Sequence, residues 1–167
     1  MIRVVVDDLA FLPVDAVLRP ANETLDPTTP LVARLDRCAG QEFTHARRVQ
    51  APLEVGAAVV TRGGELAAPF VVHVVIRSAE QRVARDTVRR GLLSAWQRAA
   101  DWQLSRVATP LVGAEVGGLS VEEAAAVMAE TYREHAGSGA CPTDLSIVVE
   151  HDRDRAVVEA ILGRPPA

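Results

Sequence analysis

Gly113-Ala114-Glu115-Val116-Gly117-Gly118-Leu119 is a glycine-containing stretch between an apolar run, Val107 to Val112, and Ser120, which has Glu123 three residues on. Ser and Glu at that spacing form a capping box at a helix start. A glycine loop entering such a helix can aim backbone N–H groups at a phosphate, and the helix N-terminus adds a partial positive charge. The pattern is neither a GxGxxG fingerprint nor a phosphate loop, so it also reads as a plain strand-to-helix turn. Glu115 opposes an anion there, since a carboxylate a few ångströms from a pyrophosphate costs about 1–4 kcal/mol at intermediate dielectric. Asp8 ends an apolar run beside Asp7 and can either accept from an amino group of a base or sugar or stand as a solvated strand end. Asn22 follows a second apolar run in the same way. Its amide can bind a sugar hydroxyl or make an Asx-turn. His73, inside Val-Val-His-Val-Val, reads as a core residue before a catalyst. His45, His135 and His151 show no metal-ligand spacing with one another or with Cys38 and Cys141, so no metal is expected. Ser94, Ser105 and Ser120 lack a nucleophile-elbow context, and the residues alone establish no enzyme.

The elements that must hold these groups alternate between strand and helix. Arg3 to Val6, Asp15 to Leu18, Ala57 to Thr61, Phe70 to Ile76, Val107 to Val112 and Leu145 to Val149 read as strands. Leu31, Leu35 and Cys38 give a helical stripe that stops at Gly40. Val88, Leu92, Trp96 and Ala99 mark a longer helix, with Trp96 and Trp102 as packing residues. Val121, Ala125, Met128 and Tyr132 give the next helix its apolar face, ended by Gly137-Ser138-Gly139, and Val158, Ile161 and Leu162 lie on the last. Apolar strands alternating with helices imply an α/β fold whose sheet is covered on both faces. Ligands in such sheets bind beyond the carboxyl ends of the strands, where Asp8-Leu9, Asn22 and Gly113 to Leu119 all fall.

The chain has 167 residues, 49% hydrophobic and 24% charged, which predicts one globular domain over 1–163 with a fraying tail at 164–167. A net charge of −4 excludes general nucleic-acid binding through a basic field. All 18 basic residues are Arg, so lysine Schiff-base chemistry is excluded. Two separated cysteines fit a reducing compartment. With no leader pattern at the N-terminus and no apolar run near the about 20 residues that span a bilayer, a cytoplasmic protein with no membrane association is expected.

Taken together, these stretches resemble the macro domain (Appr-1''-p processing-like) family, known for binding ADP-ribose and related metabolites. Val4 to Asn22 follows the family's Gly-Asp-Ile-Thr opening and its Val-Asp-Ala-Ile-Val-Asn-Ala-Ala-Asn strand end. Arg37-Cys38-Ala39-Gly40 stands where the family has Arg-Ala-Ala-Gly. Gly56 to Thr61 is similar to Gly-Glu-Ala-Val-Val-Thr, and Leu66 to Val75, with Val72-His73, to Leu-Pro-x-x-Tyr-Val-Ile-His-Thr-Val. Pro110 to Leu119, then Glu122 to Ala125, resembles the second ligand loop and its helix. The resemblance runs from about Val4 to Leu162. It implies a three-layer α/β/α fold with a mixed, mostly parallel sheet of about six strands.

For the site, the resemblance implies that Asp8 accepts from the adenine amino group, with the Leu9 backbone facing the ring. It puts Asn22 near the distal ribose, as the candidate catalytic residue. Gly113, Ala114, Glu115, Val116, Gly117 and Gly118 would cradle phosphates. No cofactor is implied. The departures lie in the loops. The family's first ligand loop is glycine-rich, and here Pro27-Thr28-Thr29-Pro30-Leu31-Val32-Ala33 replaces it. Proline removes N–H donors and glycine's close approach is lost. Val32 replaces an acid, Arg19 an Asn, and Glu115 a Gly. Arg19 and Glu115 both follow strand ends, so they are expected to pair, or Arg19 to neutralise the cleft. Three functions follow: a binder of ADP-ribose or a relative through weakened phosphate loops; a degenerate macro fold with another ligand or a protein partner; or a hydrolase of ADP-ribosylated groups or O-acetyl-ADP-ribose.

Overall fold

The computed structural model describes residues 1–165. Six strands form one sheet: β1 (Ile2–Val6), β2 (Ala16–Asn22), β3 (Ala58–Arg62), β4 (Phe70–Arg77), β5 (Arg106–Thr109) and β6 (Asp144–Val149), in the order β1-β6-β5-β2-β4-β3. All neighbours are parallel except β3, which pairs antiparallel with β4 across the Gly63-Gly64 turn. Five helices flank it: α1 (Pro30–Ala39), α2 (Gln41–Ala46), α3 (Arg85–Asp101), α4 (Val121–Ala136) and α5 (Asp152–Leu162). Residues of α3, α4 and α5, among them Leu92, Trp96, Met128 and Val158, pack with Leu18, Val74, Val107 and Ile147 on one face. Leu35, Ala39 and Phe43 of α1 and α2 pack with Val17, Val71, Ala108 and Val148 on the other. The fold is the expected α/β/α sandwich.

Beyond one-residue shifts at other strand ends, two strand ends and two short elements differ from the sequence reading. β2 runs on from Leu18 to Asn22 through Pro20. Proline is tolerated there because β5 pairs with β2 only at Ala16 and Val17, so Pro20 lies past that ladder. β5 stops at Thr109 rather than Val112, where Pro110 follows. α2 and a single 3-10 turn at Leu9–Phe11 are additional. α2 has six residues and buries only Phe43, too little to print a period. Ser120 caps α4 as expected, accepting from Glu123 N at 3.1 Å while Glu123 Oε2 accepts from Ser120 N at 2.9 Å. Trp96 is fully buried, whereas Trp102 is half-exposed, edge-on to Phe70 at 5.5 Å. Of the tail, Pro166 and Ala167 lie outside the described residues. Among the described residues no helix is long and apolar enough to cross a membrane.

The α1–α2 face buries a polar network. Side chains alternate along a strand, so Arg19 sits on the same face as Val17, under α1, and opposite Leu18. Its guanidinium is fully buried and holds Asp36 bidentately, with Nε 2.7 Å from Oδ1 and Nη2 2.6 Å from Oδ2. Nη1 donates to Leu25 O at 2.8 Å and to His73 Nδ1 at 3.2 Å, across the Arg19–His73 register pair. Because Nδ1 accepts, the imidazole proton sits on Nε2 and points to Thr61 Oγ1, 2.7 Å away. Burial, then the charges of Arg19 and Arg47, hold the His73 pKa well below 6.5. The folded state therefore binds fewer protons at this site than the unfolded chain. Stability from this site is full above about pH 6.5 and declines as pH falls below it. Urea midpoints at pH 7.5, 6.5 and 5.5 are expected to fall in that order, and His73→Gln to flatten the trend. An equal slope in the variant would contradict the assignment.

Candidate functional site

The carboxyl ends of β1, β2, β5 and β6 open onto one cleft. A cavity of about 380 Å³ is walled by Pro20, by Thr28 to Val32 at the start of α1, by Pro110, Leu111 and Gly113 to Val116 after β5, and by Val148 to Glu150 after β6. A second cavity of about 40 Å³ lies between Asp7 to Ala10 and Arg34, Leu35 and Cys38 of α1. Leu31, Val148, Val149 and Glu150 line both, so the two are neighbouring ends of one groove.

At the narrow end, Asp8 Oδ1 accepts from Ala10 N at 3.0 Å and caps the 3-10 turn. Its Oδ2 pairs with the Arg34 guanidinium, which closes that end. Leu9 is buried against α1. Arg34 went unread in the sequence. It follows Leu31 by three positions and so lies on the same helix face, which is the signal that could have found it.

The wide end is shaped by the loop after β5. Gly113 has φ +88, and a Cβ on it would lie 2.6 Å from Val88 Cγ2, so the loop lies directly on α3. Leu119 N donates to Gly113 O at 2.8 Å and Gly118 N to Glu115 O at 2.9 Å, closing a turn around Val116 and Gly117. Gly117, at φ +78, supplies the left-handed residue of that turn. Gly113, Val116 and Gly117 N–H groups donate to no protein acceptor among the described residues. Ala114 N is used locally, by Leu111 O at 3.1 Å. Of the predicted loop residues, Gly113 to Val116 line the cleft, while Gly117 and Gly118 form the turn behind it. The Val116 side chain is fully exposed at the tip.

Pro27 and Pro30 do not fill the cleft. Pro27 bridges Ala21, and Pro30 starts α1 behind Thr29, whose hydroxyl caps Val32 N at 3.3 Å. Val32 is buried. Thr28 Oγ1 is buried without a partner at the wall of the cleft.

The expected Arg19–Glu115 pairing is corrected. Arg19 turns under α1 to Asp36, and the cation at Glu115 is Arg77 at the end of β4, 3.4 Å from Oε1. Strand alternation decides this, since Arg19 points to the α1–α2 face and away from the loop after β5. Arg19 therefore does not neutralise the cleft either. Glu115 is 92% buried at its side chain, and Oε2 has no partner. Burial raises its pKa, and Arg77 opposes the rise.

Asn22, the candidate catalytic residue, is not among the residues lining either cavity. Its Oδ1 accepts from Thr24 N at 3.0 Å and Asp26 N at 2.9 Å, the Asx-turn alternative, while the Thr24 hydroxyl, 3.0 Å from Oδ1, donates to Asp26 Oδ2 at 2.7 Å. Asn22→Ala removes both backbone bonds and is expected to cost about 1–3 kcal/mol of stability, read by urea denaturation. A loss below about 0.5 kcal/mol would show that the turn does not depend on it. Among the described residues, no three His, Cys, Asp or Glu side chains gather as metal ligands.

The macro domain family model matches residues 18–128. An uncharacterised protein of Aeropyrum pernix is 32% identical over 126 residues, which cover 75% of this chain and 67% of that one. The rat ADP-ribose glycohydrolase MACROD1 is 32% identical over 130 residues, covering 76% of this chain and 50% of its own length, so the chain spans half of that relative. Among solved structures, an Oceanobacillus iheyensis macrodomain variant with ADPR is similar at TM-score 0.83 and 20% identity, over 95% of this chain and 90% of that one. At that identity the likeness concerns the fold alone.

Proposed function

The chain belongs to the macro domain family, and from that premise we propose that it binds ADP-ribose or a related nucleotide metabolite in the cleft beyond β1, β2, β5 and β6. The observation that carries the reading is the pair of unpaired N–H groups at Gly113 and Val116, residues that line a cavity of about 380 Å³, with a third at Gly117 in the adjoining turn. Free backbone N–H groups in such a loop suit phosphate oxygens. Thr28 Oγ1, buried and unpartnered on the facing wall, is a further donor or acceptor for the same ligand.

Adenine would take the narrow end, with Asp8 Oδ2 accepting its amino group. That end opens when Arg34 leaves Asp8. The Arg34 side chain is 55% exposed, and a pair this exposed holds with about 1 kcal/mol or less. Opening is therefore cheap compared with burying a purine. Turnover is not assigned, because Asn22 lines neither cavity and its Oδ1 already accepts from Thr24 N and Asp26 N.

Calorimetric titration with ADP-ribose, with AMP and ADP alongside at the same low salt, tests the reading. Micromolar ADP-ribose binding that weakens on Asp8→Ala is the expected result. No heat from any of the three at millimolar concentration would overturn it.

A further inference from the structure

Glu115 is the feature of the cleft that nucleotide binding alone leaves unexplained. Its side chain is 92% buried, yet only Oε1 has a partner, Arg77, and that contact is long at 3.4 Å. Oε2 is buried and receives nothing from the protein, in a residue that lines the cleft. A buried carboxyl oxygen without a donor destabilises a fold, unless a ligand supplies one. Glu115 packs over Gly118, where an added Cβ would lie 2.8 Å from Glu115 Cγ, so the absent side chain leaves room for it.

The surroundings sharpen the reading. Glu150 and Asp154 are the other acids lining the cavity, and no Arg or His side chain lines it. Its capacity for anions thus comes from backbone N–H groups, within reach of a carboxylate. Such a site tolerates a phosphate of low charge and repels one of higher charge. A terminal phosphate carries more negative charge than the same phosphate esterified to a sugar, and the sugar brings hydroxyl donors.

We propose that Glu115 is a specificity-determining residue: its carboxyl disfavours ligands that end in a phosphate and accepts a hydroxyl of a sugar esterified to that phosphate. The proposal rests on the nucleotide-binding reading above. Glu115 then serves two ends with one group, repelling ADP and pairing Oε2 in ADP-ribose.

The test is calorimetric titration of wild type, Glu115→Gln and Glu122→Gln with ADP-ribose and with ADP. Glu122→Gln removes the same charge from the first turn of α4, outside the cavity lining. Thermal melts establish that each variant is folded. Wild type and Glu122→Gln are expected to prefer ADP-ribose by at least about tenfold, which is 1.4 kcal/mol. Glu115→Gln is expected to narrow the preference to about threefold or less, mainly through tighter ADP binding. An unchanged preference in Glu115→Gln, an equal change in Glu122→Gln, or no preference in wild type overturns the proposal and leaves nucleotide binding standing. Absence of binding by every protein to either ligand overturns both.

Discussion

Asp36→Ala is expected to destabilise the protein by about 3–5 kcal/mol, the cost of stranding a buried charge. Asp36 is the counter-ion of a fully buried guanidinium, Arg19, and lies 3.5 Å from Arg47 Nε. Its removal leaves two cations facing each other across Leu25 O, which accepts from both at 2.8 and 2.9 Å. For a chain of this size the change corresponds to a fall of roughly 6–20 °C in Tm. Arg19→Met should cost less, because Asp36 keeps Arg47. The double variant Arg19→Met/Asp36→Leu should recover part of the loss, since it removes both buried charges together. Urea and thermal denaturation of the three variants give the ordering. An Asp36→Ala cost below about 1 kcal/mol would contradict the account of this network.

Gly113→Ala carries the second large effect, and it falls on stability and on binding together. A Cβ there lies 2.6 Å from Val88 Cγ2, on a residue with no exposed surface, and φ +88 is unfavourable for any side chain. The conformational part is roughly 1–2 kcal/mol, and overpacking against α3 adds roughly 1–3 kcal/mol. The loop can escape only by lifting off Val88, which moves the unpaired N–H groups of Val116 and Gly117. ADP-ribose affinity is therefore expected to fall more than tenfold in protein that remains folded. Gly117→Ala is the control. Its φ is +78, but no atom lies within 4 Å of the added Cβ, so only the conformational part applies. Equal losses of stability in the two variants would contradict the contact between the loop and α3.

Much of the fold was legible because its signals are local. The six apolar strands, the Ser120–Glu123 capping box and the α4 stripe each follow from a handful of adjacent residues. The end of β2 was not legible. Pro20 and Arg19 read as a strand terminus, and only the early departure of β5 and the presence of Asp36 on α1 let the strand continue buried. The site divides the same way. The placement of Gly113 to Val116 and Asp8 at the cleft was legible from position in the chain, since strand ends in α/β folds lie at one edge of the sheet. Partner choice was not found. Arg19 with Glu115 matched charge and strand-end position, but strand alternation sent Arg19 to the opposite side, to Asp36. Arg77 carries no pattern, as a single arginine in an arginine-rich chain, and Arg34 shows only in its spacing from Leu31 on one face of α1. Asn22 carried two readings, and its Oδ1 makes the turn, accepting from Thr24 N and Asp26 N.

If the loop after β5 receives the phosphates of a nucleotide ligand through its own backbone, a ¹H–¹⁵N correlation spectrum of the labelled protein titrated with ADP-ribose will report it. The amides of Gly113, Val116 and Gly117 are expected to show the largest shifts, with Leu9 and Ala10 moving at the adenine end. Saturating shifts confined to other surfaces, or a spectrum unchanged at millimolar ADP-ribose, would contradict it.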